Sequence, residues 1–255
     1  MHAATALQAL IALRDPDKAA FFQRFFKCGP GQYGEGDQFL GLSVPQVRSV
    51  LAAYRTLPVP ECVALLQSPY NEARLLALLI LVAQYQRKRA SEAERQAVFD
   101  AYLTHRNRVN NWNLVDGSAP AIVGGHLQQR DRALLYQLVE SDSLWDRRIA
   151  VLATFAFIRT GDFADTLRLC ERLLTDREDL MHKTCGWMLR EVGKRDEAAL
   201  RAFLDAHAGK MPRTMLRYAL ERFPPDVRTG YMARRLSALE GCSIRDQPLA
   251  LVFAA

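Results

Sequence analysis

Apolar residues recur at every third or fourth position along nearly the whole chain, and no window alternates with period two over a useful length. That spacing lays a continuous apolar stripe on an α-helix and would scatter the same residues over both faces of a strand. The expected fold class is all-α. In ARLLALLILVAQYQRK the pattern closes on basic residues, which complement a helix carboxyl terminus. Start signals are Asp15-Pro16, Ser43 followed by Pro45 and Gln46, and the capping box Ser91-Glu92-Ala93-Glu94. About a dozen helices are predicted between residues 5 and 223, among them 16–27, 70–87, 111–125, 144–160, 178–193 and 213–223.

The helices come in pairs with short connections, at about 35–40 residues per pair, the period of HEAT-like repeat α-solenoids. A plain bundle is the competing arrangement. A solenoid stacks chemically similar residues on one face at the repeat period. Trp112 and Arg148 lie 36 residues apart, Arg148 and Trp187 39, and Arg74 precedes Trp112 by 38. Arg213 and Arg217 fall in the next pair. A curved solenoid with arginines and aromatics along a basic concave face is expected, as one domain over 1–237 with an extension at 238–255.

With 49% hydrophobic and 24% charged residues, disorder and a disulfide scaffold are excluded. The run Leu75–Val82 is about half the ~18 residues of a membrane span, so no membrane partner is expected. The amino terminus lacks a basic leader, and five scattered cysteines without a CxxC pair suit reduced thiols; a cytoplasmic, nucleoid-associated monomer is expected. Thirty-four Lys+Arg against 28 Asp+Glu give +6, a footprint that nucleic-acid binders share with many other basic proteins. No His/Cys cluster offers a metal site, no covalent nucleophile motif appears, and no cofactor is expected.

The segment NNWNLVDGSAPAIVGG (110–125) places Trp112 and Asp116 one turn apart on the border of a buried face. Pro120 lacks the N–H that would bond the Asp116 carbonyl, so the helix should bend there. A carboxylate at such a border is costly unless paired or used. Two readings stay open: an active-site element, or a core tryptophan with Asp116 bridged to an arginine of the next repeat. In SLWDRRIAVLATFAFI (143–158), Trp145 and Arg148 share a face; Arg147 and Arg148 diverge and could instead pair with Asp142 and Asp146. Lys183, Trp187, Arg190 and Lys194, at spacings of four, three and four, make a basic stripe with one aromatic, suited to a nucleic-acid backbone. Glu191 could pair with Arg190 or Lys194. The glycine-rich CGPGQYGEGDQFLG (28–41) is neither a dinucleotide fingerprint nor a P-loop; it reads as a flexible turn or a ligand-contacting loop.

GPGQYGEGDQFLG, NNWNLVDGSAP, LWDRRIAVLATF, DLMHKTCGWMLREVGKR and MPRTMLRYALE, in that order from about residue 20 to 225, closely resemble the bacterial AlkD family of DNA alkylation repair glycosylases, built from HEAT-like repeats. The resemblance implies a monofunctional N-glycosylase releasing cationic N3- or N7-alkylated purines from double-stranded DNA. It implies Asp116 as catalytic carboxylate, Trp112 and Trp187 as its aromatic partners, and Arg148 and Arg190 as DNA contacts. Arg74, Lys183, Lys194, Arg213 and Arg217 are further expected DNA contacts from the basic pattern. Where a better-known branch has a tyrosine near the end of the second helix, this chain has Phe25 or Phe26. The alternative from another class is a non-catalytic DNA-binding or protein-scaffold module in which Asp116 serves packing alone.

Overall fold

Side chains able to accept a backbone N–H stand where the spacing starts helices. Asp15 accepts from Lys18, Ser143 from Asp146 and Asp196 from Ala199, and both halves of the Ser91–Glu94 capping box form. The computed structural model describes residues 1–234, so the extension expected at 238–255 lies outside them. In chain order the helices are α1 (Ala3–Ile11), α2 (Pro16–Phe25), α3 (Val44–Tyr54), α4 (Val59–Leu66), α5 (Asn71–Tyr85), α6 (Glu92–Thr104), α7 (Trp112–Asp116) and α8 (Gly125–Leu127). They continue as α9 (Ala133–Leu138), α10 (Leu144–Ala153), α11 (Phe155–Ile158), α12 (Ala164–Arg172), α13 (Asp179–Gly193), α14 (Glu197–His207), α15 (Arg213–Ala219) and α16 (Pro225–Ala233). Among the described residues there is no strand, only a single bridge between Gln38 and Tyr70.

The helices stack as a solenoid. One row runs α3, α5, α7, α10, α13, α15, each member packed on the next. Helices α4, α6, α9, α12 and α14 each pack against members of that row. Arg74, Trp112, Arg148, Trp187 and Arg213 therefore stand on successive helices of one row, as their spacing predicted.

Two predicted helices are interrupted. The helix expected over 111–125 stops at Asp116 and resumes after a π-helical turn, Pro120–Gly124. Proline removes one N–H, and beyond it the Ser118 carbonyl accepts the N–H of both Ala121 and Ile122. A Cβ at Gly124 would stand 2.1 Å from the Ala153 carbonyl oxygen, so α10 lies directly on this turn. The helix expected over 144–160 breaks at Thr154, whose hydroxyl bonds back to the Val151 carbonyl. Helix α16 was not anticipated; it starts on Pro225 at its first position.

Helix α5 is buried nearly all round, including the charged Glu72 and Arg74 in its first turn. Glu72 accepts the backbone N–H groups of Leu40, Gly41 and Leu42 at 2.9–3.1 Å. Arg74 pairs with Asp37, and its side chain is 1% exposed. The charges of α5 thus hold the glycine-rich loop, which fixes where that loop meets α7.

Candidate active site

Asn111 starts α7 by accepting the Trp112 N–H at 2.8 Å, and the π turn ends it, leaving Trp112 and Asp116 on one short helix. The inner side of α7, Leu114 and Val115, is fully buried, so Asp116 sits at the edge of the core. Its charge is met from the next helix of the row. Arg148 on α10 donates Nε to Oδ1 and Nη2 to Oδ2, both at 2.8 Å. The remaining Arg148 nitrogen, Nη1, donates to the Leu180 carbonyl at 3.2 Å and to the Thr184 hydroxyl of α13. Three successive helices meet at this guanidinium.

One expectation is corrected here. Arg148 is not free for a phosphate: a carboxylate beside a dry core needs a paired cation, and Arg148 is consumed in supplying it. The alternative reading, a bridge to an arginine of the next repeat, describes the pair. It is asymmetric. The Arg148 side chain is 6% exposed and that of Asp116 21%, so the anionic end faces outward. Burial pushes the Asp116 carboxyl above its ordinary value, and the Arg148 guanidinium pulls it back only in part.

Aromatic rings surround this edge. Trp112, partly buried, stacks on Phe26 at 4.9 Å and meets Phe25 edge-on at 6.0 Å. Tyr33, from the glycine-rich loop, meets Trp145 edge-on at 6.0 Å. Burial holds the Tyr33 phenol above its usual range, while Trp112 and Arg148 act on it in the opposite sense. The loop is not a loose turn. Asp37 accepts from Arg74, Asn71 and Asn111, and Gly34 donates to the Lys27 carbonyl at 3.0 Å. A Cβ at Gly34 would lie 2.3 Å from the Phe26 carbonyl oxygen. The residue that caps α7 is therefore also a ligand of the loop's buried aspartate.

The other nominated residues divide. Trp187, on α13 one turn beyond Thr184, is partly buried against Phe155 at 6.2 Å and donates its indole N–H to Glu191 at 3.3 Å. Glu191 is buried and pairs with Lys194 and Arg195, not with Arg190. Arg190 pairs with Glu221 instead, and Lys183 with Asp179. Arg213 and Arg217 on α15 are exposed; Arg213 donates to the Met232 carbonyl at 2.7 Å. Arg74 is removed from the DNA-facing set, because its guanidinium is sealed on Asp37 and the carbonyls of Ser68 and Pro69. Arg147 pairs with Asp176, so neither arginine of the 147–148 doublet takes an aspartate side chain of its own segment.

Sequence reasoning had not nominated Tyr33, Thr184 or Glu191 for the site. Thr184 carried a signal: it lies 36 residues beyond the arginine it touches, the repeat period itself. Tyr33 carried none, since irregular backbone has no period. Among the described residues no three His, Cys, Asp or Glu side chains gather as a metal site, and no helix is long and apolar enough to cross a membrane.

The model of the family described as DNA alkylation repair enzyme matches residues 6–223. A solved structure described as a predicted DNA alkylation repair enzyme from Enterococcus faecalis superposes with a TM-score of 0.65. It is 17% identical, and the match covers 83% of this chain and 97% of that one, which establishes the shared fold. No curated protein matches the chain.

Proposed function

The chain belongs to the DNA alkylation repair enzyme family, and on that premise we propose that it is a DNA N-glycosylase releasing cationic N3- or N7-alkylated purines from duplex DNA. The observation that carries this reading is the outward-facing Asp116 carboxylate, fixed by buried Arg148 beside Trp112. A purine alkylated at N3 or N7 already bears a positive charge and leaves as a neutral base, so departure needs no general acid. As the glycosidic bond breaks, the deoxyribose gains oxocarbenium character. Asp116 faces that charge and holds the attacking water, while Arg148 keeps the carboxylate ionised and fixed in place before the reaction starts.

Trp112 and Trp187 offer electron-rich faces to the cation, each worth about 0.5–2 kcal/mol. Arg213 and Arg217, both exposed on α15, hold phosphates. Lys183, Arg190 and Lys194 join them by exchanging an intramolecular carboxylate for a phosphate, a competition that high salt shifts against DNA.

Purified protein incubated with duplex containing 7-methylguanine should generate abasic sites, and Asp116→Asn should lower the rate at least ~10²-fold, the usual scale for losing an electrostatic stabiliser. Equal release by the mutant removes the assignment. The pairing of Asp116 with Arg148 also suits a non-catalytic module in which both residues only pack. Duplex binding without release of any alkylated base would favour that second reading.

A further inference from the structure

Helix α2 carries the sequence FFQRFF through its second half, and its four phenylalanines divide by face. Phe22 meets Phe39 edge-on at 5.8 Å, and Phe26 stacks on Phe39 at 4.8 Å and on Trp112 at 4.9 Å. These two hold the helix down. Phe21 and Phe25 are 52% and 51% exposed, with their rings stacked on each other at 5.9 Å. Between Pro16 and Phe25 no residue is buried, so much of this helix serves no core.

Arg24 lies three residues beyond Phe21 on the same face, and Lys27 three beyond Arg24. Both are exposed, and neither takes part in an ion pair among the described residues. The contrast with Arg148, Arg190, Lys183 and Lys194, each matched to an acid, is sharp. Lys27 also occupies a costly backbone conformation. Its φ is +53°, at the position after a helix end where glycine is usual. The Lys27 N–H to the Arg24 carbonyl and the Cys28 N–H to the Gln23 carbonyl complete that turn, and the loop secures it from Gly34. A strained cation without an acid partner, where glycine would fit better, points to use of its side chain. Arg24 and Lys27 line a hollow of about 410 Å³ with Gln23, Cys28, Gly29 and Gln32.

We propose that the outer face of α2 is a second DNA contact. Phe21 and Phe25 pack against the apolar face of a nucleotide flanking the lesion, and Arg24 and Lys27 neutralise its phosphates. Aromatic rings interleaved with cations suit a nucleic-acid strand, the rings taking sugars or unstacked bases while the cations track the backbone. The surface is continuous with the site through the contact of Phe25 with Trp112. The inference rests on the reading of the chain as acting on DNA.

The test measures binding of a fluorescent duplex containing 7-methylguanine across a salt series, together with thermal melting and base release. Lys27→Gly should melt at or above the wild-type temperature yet bind more weakly, with a salt slope smaller by about one phosphate contact. A purely structural lysine would give the opposite melting result and leave the slope unchanged. Phe21→Ala, which removes a ring linked to Trp112 only through Phe25, should weaken binding about tenfold with the slope intact. 2-Aminopurine beside the lesion separates base from sugar. If wild type quenches it and Phe21→Ala does not, the ring stacks on a base; equal quenching with lost affinity assigns the sugar. If wild type releases base while both variants bind like it at every salt concentration, the α2 contact is overturned and the glycosylase reading stands. Weakened binding by both variants without base release from wild type sinks the glycosylase reading and leaves the contact.

Discussion

Two arginines of the same row of helices each hold an aspartate, and the two pairs differ in how open they are. Arg74 of α5 pairs with Asp37, Arg148 of α10 with Asp116, and in both the partner lies about one repeat earlier in the chain. Asp37 is 2% exposed and accepts from Arg74, Asn71 and Asn111, so its acceptor capacity is largely spent. Asp116 is 21% exposed and, among the described residues, accepts from Arg148 alone. A carboxylate can take about four hydrogen bonds, so roughly half the capacity of Asp116 remains for a water or a developing cation. The difference between the pairs is unspent acceptor capacity facing outward, and the proposed role of Asp116 depends on it.

The largest effect should come from breaking the sealed pair. Arg74→Met strands Asp37 in a dry network and should cost about 3–5 kcal/mol, read as a lower urea midpoint at unchanged slope. Arg148→Met should cost visibly less stability, because Asp116 can reach water, and should still abolish most base release. Equal losses of stability would erase the distinction between the pairs. Next in size, Asp116→Asn should lower release at least ~10²-fold with only a modest change in melting. Asp37→Asn should reverse that ranking, losing stability while the protein that remains folded keeps most of its rate.

The pH dependence should separate the open pair from ordinary aspartates. Because burial raises the Asp116 carboxyl, release should fall with acid through a value above the usual 3.8. The folded state then holds this proton more tightly than the unfolded chain. The Asp116 contribution to stability is full below the unfolded value and declines as pH rises through the folded one. Asp15, lowered by its bonds to Lys18, should show the opposite trend. An acid limb of release at or below 3.8 would mean that Arg148 outweighs burial.

These pairs also mark how far the sequence could be read. The row of Arg74, Trp112, Arg148 and Trp187 was legible because a solenoid writes its stacking as a chain-long period, and Trp112 with Asp116 because i,i+4 is local geometry. The bend at Pro120 followed from one missing N–H. Which acid Arg74 takes was not legible, because that choice depends on helix rotation between repeats and on an irregular loop; for Arg148, a bridge from Asp116 to an arginine of the next repeat was one of the two readings the spacing left open. The roles assigned to Asp116, Trp112 and Trp187 came from family resemblance. Tyr33 and the left-handed Lys27 sit in or beside irregular backbone, where neither period nor propensity speaks.

The smallest effect tests a third carboxylate that stands between the two extremes. Glu191 is buried like Asp37, but its partners are Lys194, Arg195 and the indole N–H of Trp187. A negative charge on that N–H makes the indole face richer in electrons and so a better neighbour for a cation. Glu191→Gln keeps an acceptor for Trp187 while removing the charge and releasing two basic side chains toward DNA. Duplex affinity should therefore rise slightly, while the single-turnover rate falls by no more than the ~0.5–1 kcal/mol of an exposed cation–π contact. The two quantities moving in opposite directions is the signature. A rate and an affinity that fall together would instead make Glu191 a plain brace for α13, grouped with Asp37 and not with Asp116.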